Sequence, residues 1–274
     1  MSAADTKHKA HIEVTGLTMA YGDTLIQRDL TFTVNRGDIF IVMGGSGCGK
    51  STLLKHLIGL LQPAAGEICY NGVSYFDASA RQQDDMRRSW GTTFQTGGLF
   101  SAMTLAENVA LPLQQNTQLS KAEIADLVHY KLALVGLAGF QNYYPSQISG
   151  GMQKRAGLAR AIALDPEVLF FDEPSAGLDP LSSKLLDELI VQIQQTTGAT
   201  IVVVTHELAS IFAIGNNSVF LDPESKTMLD CGHPQRLKTD SPHHQVRNFL
   251  ARGKLSRGQL AHDQTDNSHR EKTP

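Results

Sequence analysis

The chain has 274 residues, enough for one large domain or two small ones at roughly 150 residues each. Lys and Arg number 24 against 27 Asp and Glu, a formal net charge of −3, which argues against a surface built to coat nucleic-acid phosphates. Cys48, Cys69 and Cys231 are three thiols without paired spacing, so no disulfide framework is expected and a reducing compartment is. In chain order, residues 11–19 and 30–34 are predicted as strands, the second followed by the turn Asn35-Arg36-Gly37. The apolar run 39–43 predicts a buried strand, and residues 49–61 a helix that Pro63 stops. Asn71-Gly72, between β-rich runs, predicts a type I′ hairpin. From 104 to 157 the pattern turns helical. Beyond it, strands at 168–171 and 200–204 alternate with helices at 182–196 and 207–213, which argues for a largely parallel sheet covered by helices. Residues 252–274 are polar and aperiodic and are expected to form a flexible tail. No run approaches the roughly 18 apolar residues that cross a bilayer, and the polar N-terminus carries no secretory core. If the chain serves a membrane, another chain must supply the span.

Three motifs carry chemistry. Gly44-Gly45-Ser46-Gly47-Cys48-Gly49-Lys50-Ser51 fits G-x-x-x-x-G-K-[ST] and lies between a predicted strand and a predicted helix, the context of a phosphate-binding loop. Its glycines let successive N–H groups point at an anion, and the helix dipole favours negative charge at the same place. Lys50 is suited to the β- and γ-phosphates and the Ser51 hydroxyl to Mg²⁺. Next, Ser149-Gly150-Gly151-Met152 opens a helical run containing Arg155 and Arg160, a second anion-binding arrangement that is weak by itself. Last, the apolar strand 168–171 ends in Asp172-Glu173, and two acids at a buried strand end are costly unless they meet water or a cation. Asp172 suits a magnesium ligand and Glu173 the group that polarises an attacking water. By themselves they could equally cap a helix.

In this order the motifs resemble those of ABC-transporter ATPase subunits, from about residue 12 to 250, in a single domain spanning 10–251. The resemblance implies an α/β fold: an ABC-type P-loop ATPase core with a mixed sheet, an antiparallel β edge region and an inserted helical subdomain at about 96–160. It implies ATP and Mg²⁺ as cofactors, with Tyr21 stacking on adenine. It also implies that Gly44, Gly45, Ser46, Gly47, Cys48, Gly49, Lys50, Ser51 and Thr52 hold the phosphates. Magnesium falls to Ser51, Asp172 and the loop glutamine Gln95, catalysis to Glu173, Lys50, Gln95 and the switch histidine His206. Ser149, Gly150, Gly151 and the D-loop residue Asp179 would complete the nucleotide site of a second copy, in a homodimer. The family's usual Leu-Ser-Gly-Gly-Gln departs here to Ile148 and Met152, while the phosphate-facing Ser-Gly-Gly is intact.

Ser-Gly-Gly-Met with Arg155 and Arg160, and the run Phe94-Gln95-Thr96-Gly97-Gly98-Leu99-Phe100, resemble one branch, the ATPases of Mla-type lipid transporters that work with MCE-domain proteins. This implies transport of phospholipid or related lipid across a bacterial envelope, from the cytoplasmic face of the inner membrane. The implied partners are a polytopic permease, a periplasmic MCE-domain lipid-binding protein and a small regulatory subunit. The loop 95–100 would couple to the membrane partner, unless Leu99 and Phe100 fold into the core. An importer of amino acids or other small solutes is the alternative, and a soluble ATPase of DNA repair or translation a further one, disfavoured because this chain has neither a coiled-coil insertion nor a second cassette. His206-Glu207 does not continue to a zinc motif, because Ser210 stands where the second histidine would be. His243-His244 lacks accompanying ligands and is expected at the surface. Cys48 is expected to fill space, with a thiol that the nearby helix N-terminus would acidify.

Overall fold

The computed structural model of the chain describes residues 9–95 and 97–252. Strands β1 (Ala10–Tyr21), β2 (Thr24–Asn35) and β3 (Ile39–Gly44) lead to helix α1 (Lys50–Leu57). Strands β4 (Ala65–Tyr70) and β5 (Val73–Ser74), helix α2 (Ala80–Arg88) and strand β6 (Trp90–Thr93) follow. A helical block comprises α3 (Leu105–Asn116), α4 (Lys121–Leu134) and α5 (Gly150–Ala161). Strand β7 (Val168–Asp172), helix α6 (Pro180–Thr197), strand β8 (Thr200–Val204) and helix α7 (Leu208–Ile214) come next. Strands β9 (Asn217–Asp222) and β10 (Thr227–Cys231) and helices α8 (Pro234–Asp240) and α9 (His244–Arg252) close the described chain.

Among the described residues the strands form two sheets, ordered β10-β9-β3-β8-β7-β6 and β2-β1-β4-β5. In the first, β3, β6, β7, β8 and β9 run parallel and β10 joins antiparallel to β9. The expected α/β class and mixed sheet are therefore present, and the antiparallel strands form a sheet of their own. Strands β3, β7 and β8 carry unbroken apolar runs at 39–43, 168–171 and 201–204 because both of their faces are covered. Ile39, Ile41 and Met43 of β3 face a helix-side core, while Phe40 and Val42 face a second core shared with the antiparallel sheet and α1. Leu169 and Phe171 divide from Val168 and Phe170 in the same way, as do Ile201 and Val203 from Val202 and Val204. The helical block between β6 and β7 adds Leu105, Val109, Ile124, Val128, Leu132 and Ala156 to the helix-side core, so it is packed continuously with the sheet.

Several elements differ from the sequence expectation. The first helix ends at Leu57, well before Pro63. Gly59 adopts φ 71°, the Leu60 N–H reaches the Lys55 carbonyl at 2.8 Å and the Gly59 N–H the His56 carbonyl at 3.0 Å. These two bonds are a Schellman cap, which stops a helix without proline. Strand β2 is far longer than 30–34, because the polar run Gln27-Arg28-Asp29 and the positive φ of Asp29 masked its first half. Helix α2 buries no residue and so has no apolar face to betray it; a Ser79–Gln82 capping box starts it. The Asn71-Gly72 turn is as expected: φ is 53° and 79°, and Tyr70 pairs with Val73. The tail assigned to 252–274 lies outside the described residues except for Arg252, which ends α9.

Candidate functional site

In a parallel sheet, the carboxyl ends of the strands share one edge and open onto one crevice. Here β3 runs into the loop 44–49, β7 into Asp172 and Glu173, β8 into Thr205 and His206, and β6 into Phe94 and Gln95. Sequence-distant groups thereby reach one place. The loop's shape admits no side chain at two glycines. A Cβ on Gly44 would strike the Leu221 carbonyl and stand 2.7 Å from Cys48 Sγ; one on Gly49 would stand 2.7 Å from Ile26 Cγ2. Gly49, at φ 94°, caps α1 and turns the chain into the helix.

At this edge the Ser51 hydroxyl donates to Asp172 Oδ1 at 3.1 Å. Lys50 is buried, and its Nζ donates to the Gly44 and Gly45 carbonyls at 3.1 Å each, so its charge stays on the inner rim of the loop. Burial pushes the Asp172 carboxyl up, opposed by the Ser51 hydrogen bond and the Lys50 charge. A cation beside it would favour its ionised form. Glu173 adopts φ 49°, a strained conformation for a residue with a Cβ. It is held there by its N–H to the Val204 carbonyl at 2.8 Å. Its Oε1 lies 2.8 Å from His206 Nδ1, while its Oε2 is buried without a protein partner among the described residues. That oxygen is the free acceptor a water would need.

These groups fit magnesium and a nucleoside triphosphate. Ser51 and Asp172 offer two hard oxygen donors within hydrogen-bond distance of each other, ahead of a helix N-terminus that suits phosphate. Among the described residues no three His, Cys, Asp or Glu side chains cluster around a metal position. A cation held by Ser51 and Asp172 would take the rest of its shell from substrate and water, which is how Mg²⁺ is usually bound.

Two basic residues of α5 tie the loop after β6 to this edge. Lys154 Nζ donates to the Gln95 carbonyl and lies 3.5 Å from the Glu173 carbonyl; burial lowers its pKa, while the charges of Glu173 and Asp172 oppose that. Arg160 donates to the Gly98 carbonyl at 2.5 Å. Arg160 was legible in the helical run after Ser-Gly-Gly, whereas Lys154 was not. The signal available was helical spacing: Lys154 stands one turn after Gly150 on the helix that Ser149 caps. Beyond this loop, Leu99 is packed against the helix-side core whereas Phe100 is 51% exposed, with the Arg160 guanidinium 5.7 Å from its ring centroid.

The remaining expected site residues lie elsewhere. Tyr21 ends β1 at the turn of the β1–β2 hairpin, paired with Thr24, and is exposed. Thr52 continues α1 behind Ser51. Ser149 caps α5, its hydroxyl accepting from the Met152 N–H at 3.3 Å. The Gly151 Cα faces Ser182 and Leu178 at the start of α6. Asp179 caps α6, its Oδ1 accepting from the Leu181 and Ser182 N–H groups at 3.0 Å each. Hydrogen bonding from the Ser182 side chain first, and then from these backbone groups, holds its carboxyl below the usual range. Among the described residues no hydrogen bond joins Ser149, Gly150, Gly151 or Asp179 to the phosphate loop of the same chain. The expectation for Cys48 is corrected in part. It is buried and fills space, but desolvation raises its thiol pKa despite the nearby helix N-terminus and Lys50.

Comparison with known proteins gives a consistent picture. The profile described as ABC transporter matches residues 27–176. The "Intermembrane phospholipid transport system ATP-binding protein MlaF" of Escherichia coli K12 is 37% identical over 239 residues, covering 87% of this chain and 88% of that protein. The "Probable ribonucleotide transport ATP-binding protein mkl" of Mycobacterium tuberculosis H37Rv is 42% identical over 239 residues, and the match spans 87% of this chain and 66% of that longer protein. Among solved structures, the dimeric ATP-binding cassette MJ0796 in a post-hydrolysis state bound to ADP and Pi superposes with a TM-score of 0.73. It is 27% identical and covers 81% of this chain and 98% of its own.

Proposed function

This chain belongs to the ABC transporter family, and from that premise we propose that it is the ATP-hydrolysing subunit of a transporter that moves phospholipid across a bacterial envelope. One observation carries the hydrolytic part: Ser51 meets Asp172 beside the Glu173–His206 pair at a single sheet edge. The lipid part rests on the likeness to MlaF proteins, named for intermembrane phospholipid transport.

In this proposal Lys50 and the N–H groups of the 44–52 segment bind the triphosphate, and Tyr21 stacks against the base. Magnesium, bound by Ser51 and Asp172 with Gln95 as a further ligand, would neutralise charge on the phosphates. Glu173 accepts a hydrogen bond from the attacking water and draws its proton toward the free Oε2. His206 holds Oε1, fixing the carboxylate, and senses the γ-phosphate. Two copies pair so that Ser149, Gly150, Gly151 and Asp179 of one close the nucleotide site of the other. The dimeric cassette MJ0796 supports that arrangement.

Among the described residues no helix is long and apolar enough to cross a membrane. The proposed partners are a polytopic permease, which would hold the chain at the cytoplasmic face of the inner membrane, an MCE-domain lipid-binding protein and a small regulatory subunit. The mkl relatives, named for ribonucleotide transport, favour a second reading in which the cargo is a soluble nucleotide. The experiment is to isolate the native complex, identify its membrane subunit and reconstitute it in vesicles. ATP-dependent transfer of labelled phospholipid is expected. Uptake of a ribonucleotide or amino acid without lipid transfer would overturn the lipid assignment.

A further inference from the structure

Gln27 lies within β2 and is fully buried. Its Nε2 donates to the Cys48 carbonyl in the phosphate loop at 2.8 Å and to the Asp222 carbonyl at the end of β9 at 2.9 Å. Both partners are acceptors, so the NH₂ end of the amide faces them. One neutral side chain thus ties the antiparallel sheet to the loop and to the mixed sheet. Its Oε1 has no protein partner among the described residues, and such a buried orphan is costly. An apolar residue would fill the space without that cost. What glutamine adds is two N–H donors with no charge, which neither a hydroxyl nor an ammonium supplies.

The geometry assigns those donors a task. In a trans peptide the carbonyl of one residue and the N–H of the next point to opposite sides. With the Cys48 carbonyl held toward β2, the Gly49 N–H is turned away from β2. Gly49 sits at φ 94°, and glycine lets the preceding peptide plane rotate at little cost. Gln27 removes that freedom, and Ile26 and Gln27 also crowd the Gly49 Cα, at 2.7 and 3.5 Å from an ideal Cβ there. We infer that Gln27 is a positioning residue that pre-orients the Cys48–Gly49 peptide for phosphate binding. This rests on the phosphate-loop reading of residues 44–51. Binding is tighter when donors are placed before the ligand arrives, because ordering costs are then not charged against affinity.

The test uses the full chain with Gln27→Met, which keeps length and bulk but has no donor, and Gln27→Leu as a second variant should the first not fold. The dissociation constants of ATP and inorganic pyrophosphate are measured, with steady-state hydrolysis and thermal unfolding. Both ligands are expected to bind about tenfold more weakly, as is typical for the loss of one or two neutral hydrogen bonds. KM should rise by a similar factor, with kcat within about twofold. Unchanged ATP and pyrophosphate affinity, with or without a fall in Tm, would reduce Gln27 to a packing strut and overturn the inference. Lys50→Ala, run in parallel, separates the two levels. If it abolishes binding while the Gln27 variants do not, only the inference fails. If it too leaves binding intact, the phosphate-loop reading fails.

Discussion

Glu173→Gln separates hydrolysis from folding with little disturbance. The amide keeps an oxygen that can accept from His206 Nδ1, now at 2.8 Å from Glu173 Oε1, so the side chain retains its anchor. What is lost is charge assistance, the difference between a hydrogen bond to a charged group and a neutral one, about 1 kcal/mol. The strain at φ 49° is common to both residues and cancels. For a chain of this size about 1 kcal/mol shifts Tm by about 2–4 °C. The chemical loss is much larger: the NH₂ group replaces the free Oε2 with a donor, and removing a positioned base lowers turnover by about 10²–10⁴. That corresponds to about 3–5 kcal/mol of barrier. The expected result is near-native Tm and ATP affinity with phosphate release lower by at least two orders of magnitude. The assays are steady-state phosphate release, nucleotide binding and thermal unfolding on the same preparation. Hydrolysis within about threefold of the unaltered protein would remove Glu173 from its role. A collapse of Tm would refute the argument that the anchor survives.

Asn108 is fully buried, accepts from the Phe100 N–H and donates to the Phe100, Met103 and Thr104 carbonyls at 2.8–3.1 Å. Asn108→Ala should cost about 3 kcal/mol, seen as a lower urea midpoint, because several backbone groups lose their partner at once; a change under about 1 kcal/mol would contradict this. Phe100→Asp should leave basal hydrolysis by the isolated chain within about twofold, since the ring is half exposed, yet disrupt permease pull-down and lipid transfer if the loop couples to the membrane; full assembly and transfer would refute the coupling. His11, buried with Nδ1 2.7 Å from Thr200 Oγ1, has its pKa lowered to about 4, by burial first and then by the Arg36 charge, with Glu167 opposing. An unfolded histidine protonates near 6.5, so between about pH 6.5 and 4 the unfolded chain binds more protons and stability falls on acidification. The loss is at most about 3 kcal/mol. Denaturant unfolding at pH 7 and 4.5 should show His11→Gln with a flatter dependence, and equal slopes would count against the assignment.

Local pieces whose chemistry is set within a few residues were legible from the residues alone. The loop 44–51 between an apolar strand and a helix was legible because glycine, lysine and serine at fixed spacing have few other uses. The Asn71-Gly72 hairpin was legible because both residues tolerate positive φ. The strands 168–171 and 200–204 stood out because burial on both faces leaves them almost wholly apolar. Helix α2 was not legible, since it buries nothing, and the end of α1 was misplaced because a glycine cap is quieter in sequence than a proline. Which groups meet depended on how the strands assemble into a sheet. It set Ser51 against Asp172, 121 positions apart, and Glu173 against His206. It sent Gln27 into the interior to reach Cys48 and Asp222, and raised the Cys48 thiol where proximity to a helix start had suggested the opposite. The physical reason is that strand order and register fix which carboxyl ends are neighbours, and burial fixes what each charge costs. Neither is a property of neighbours in the chain.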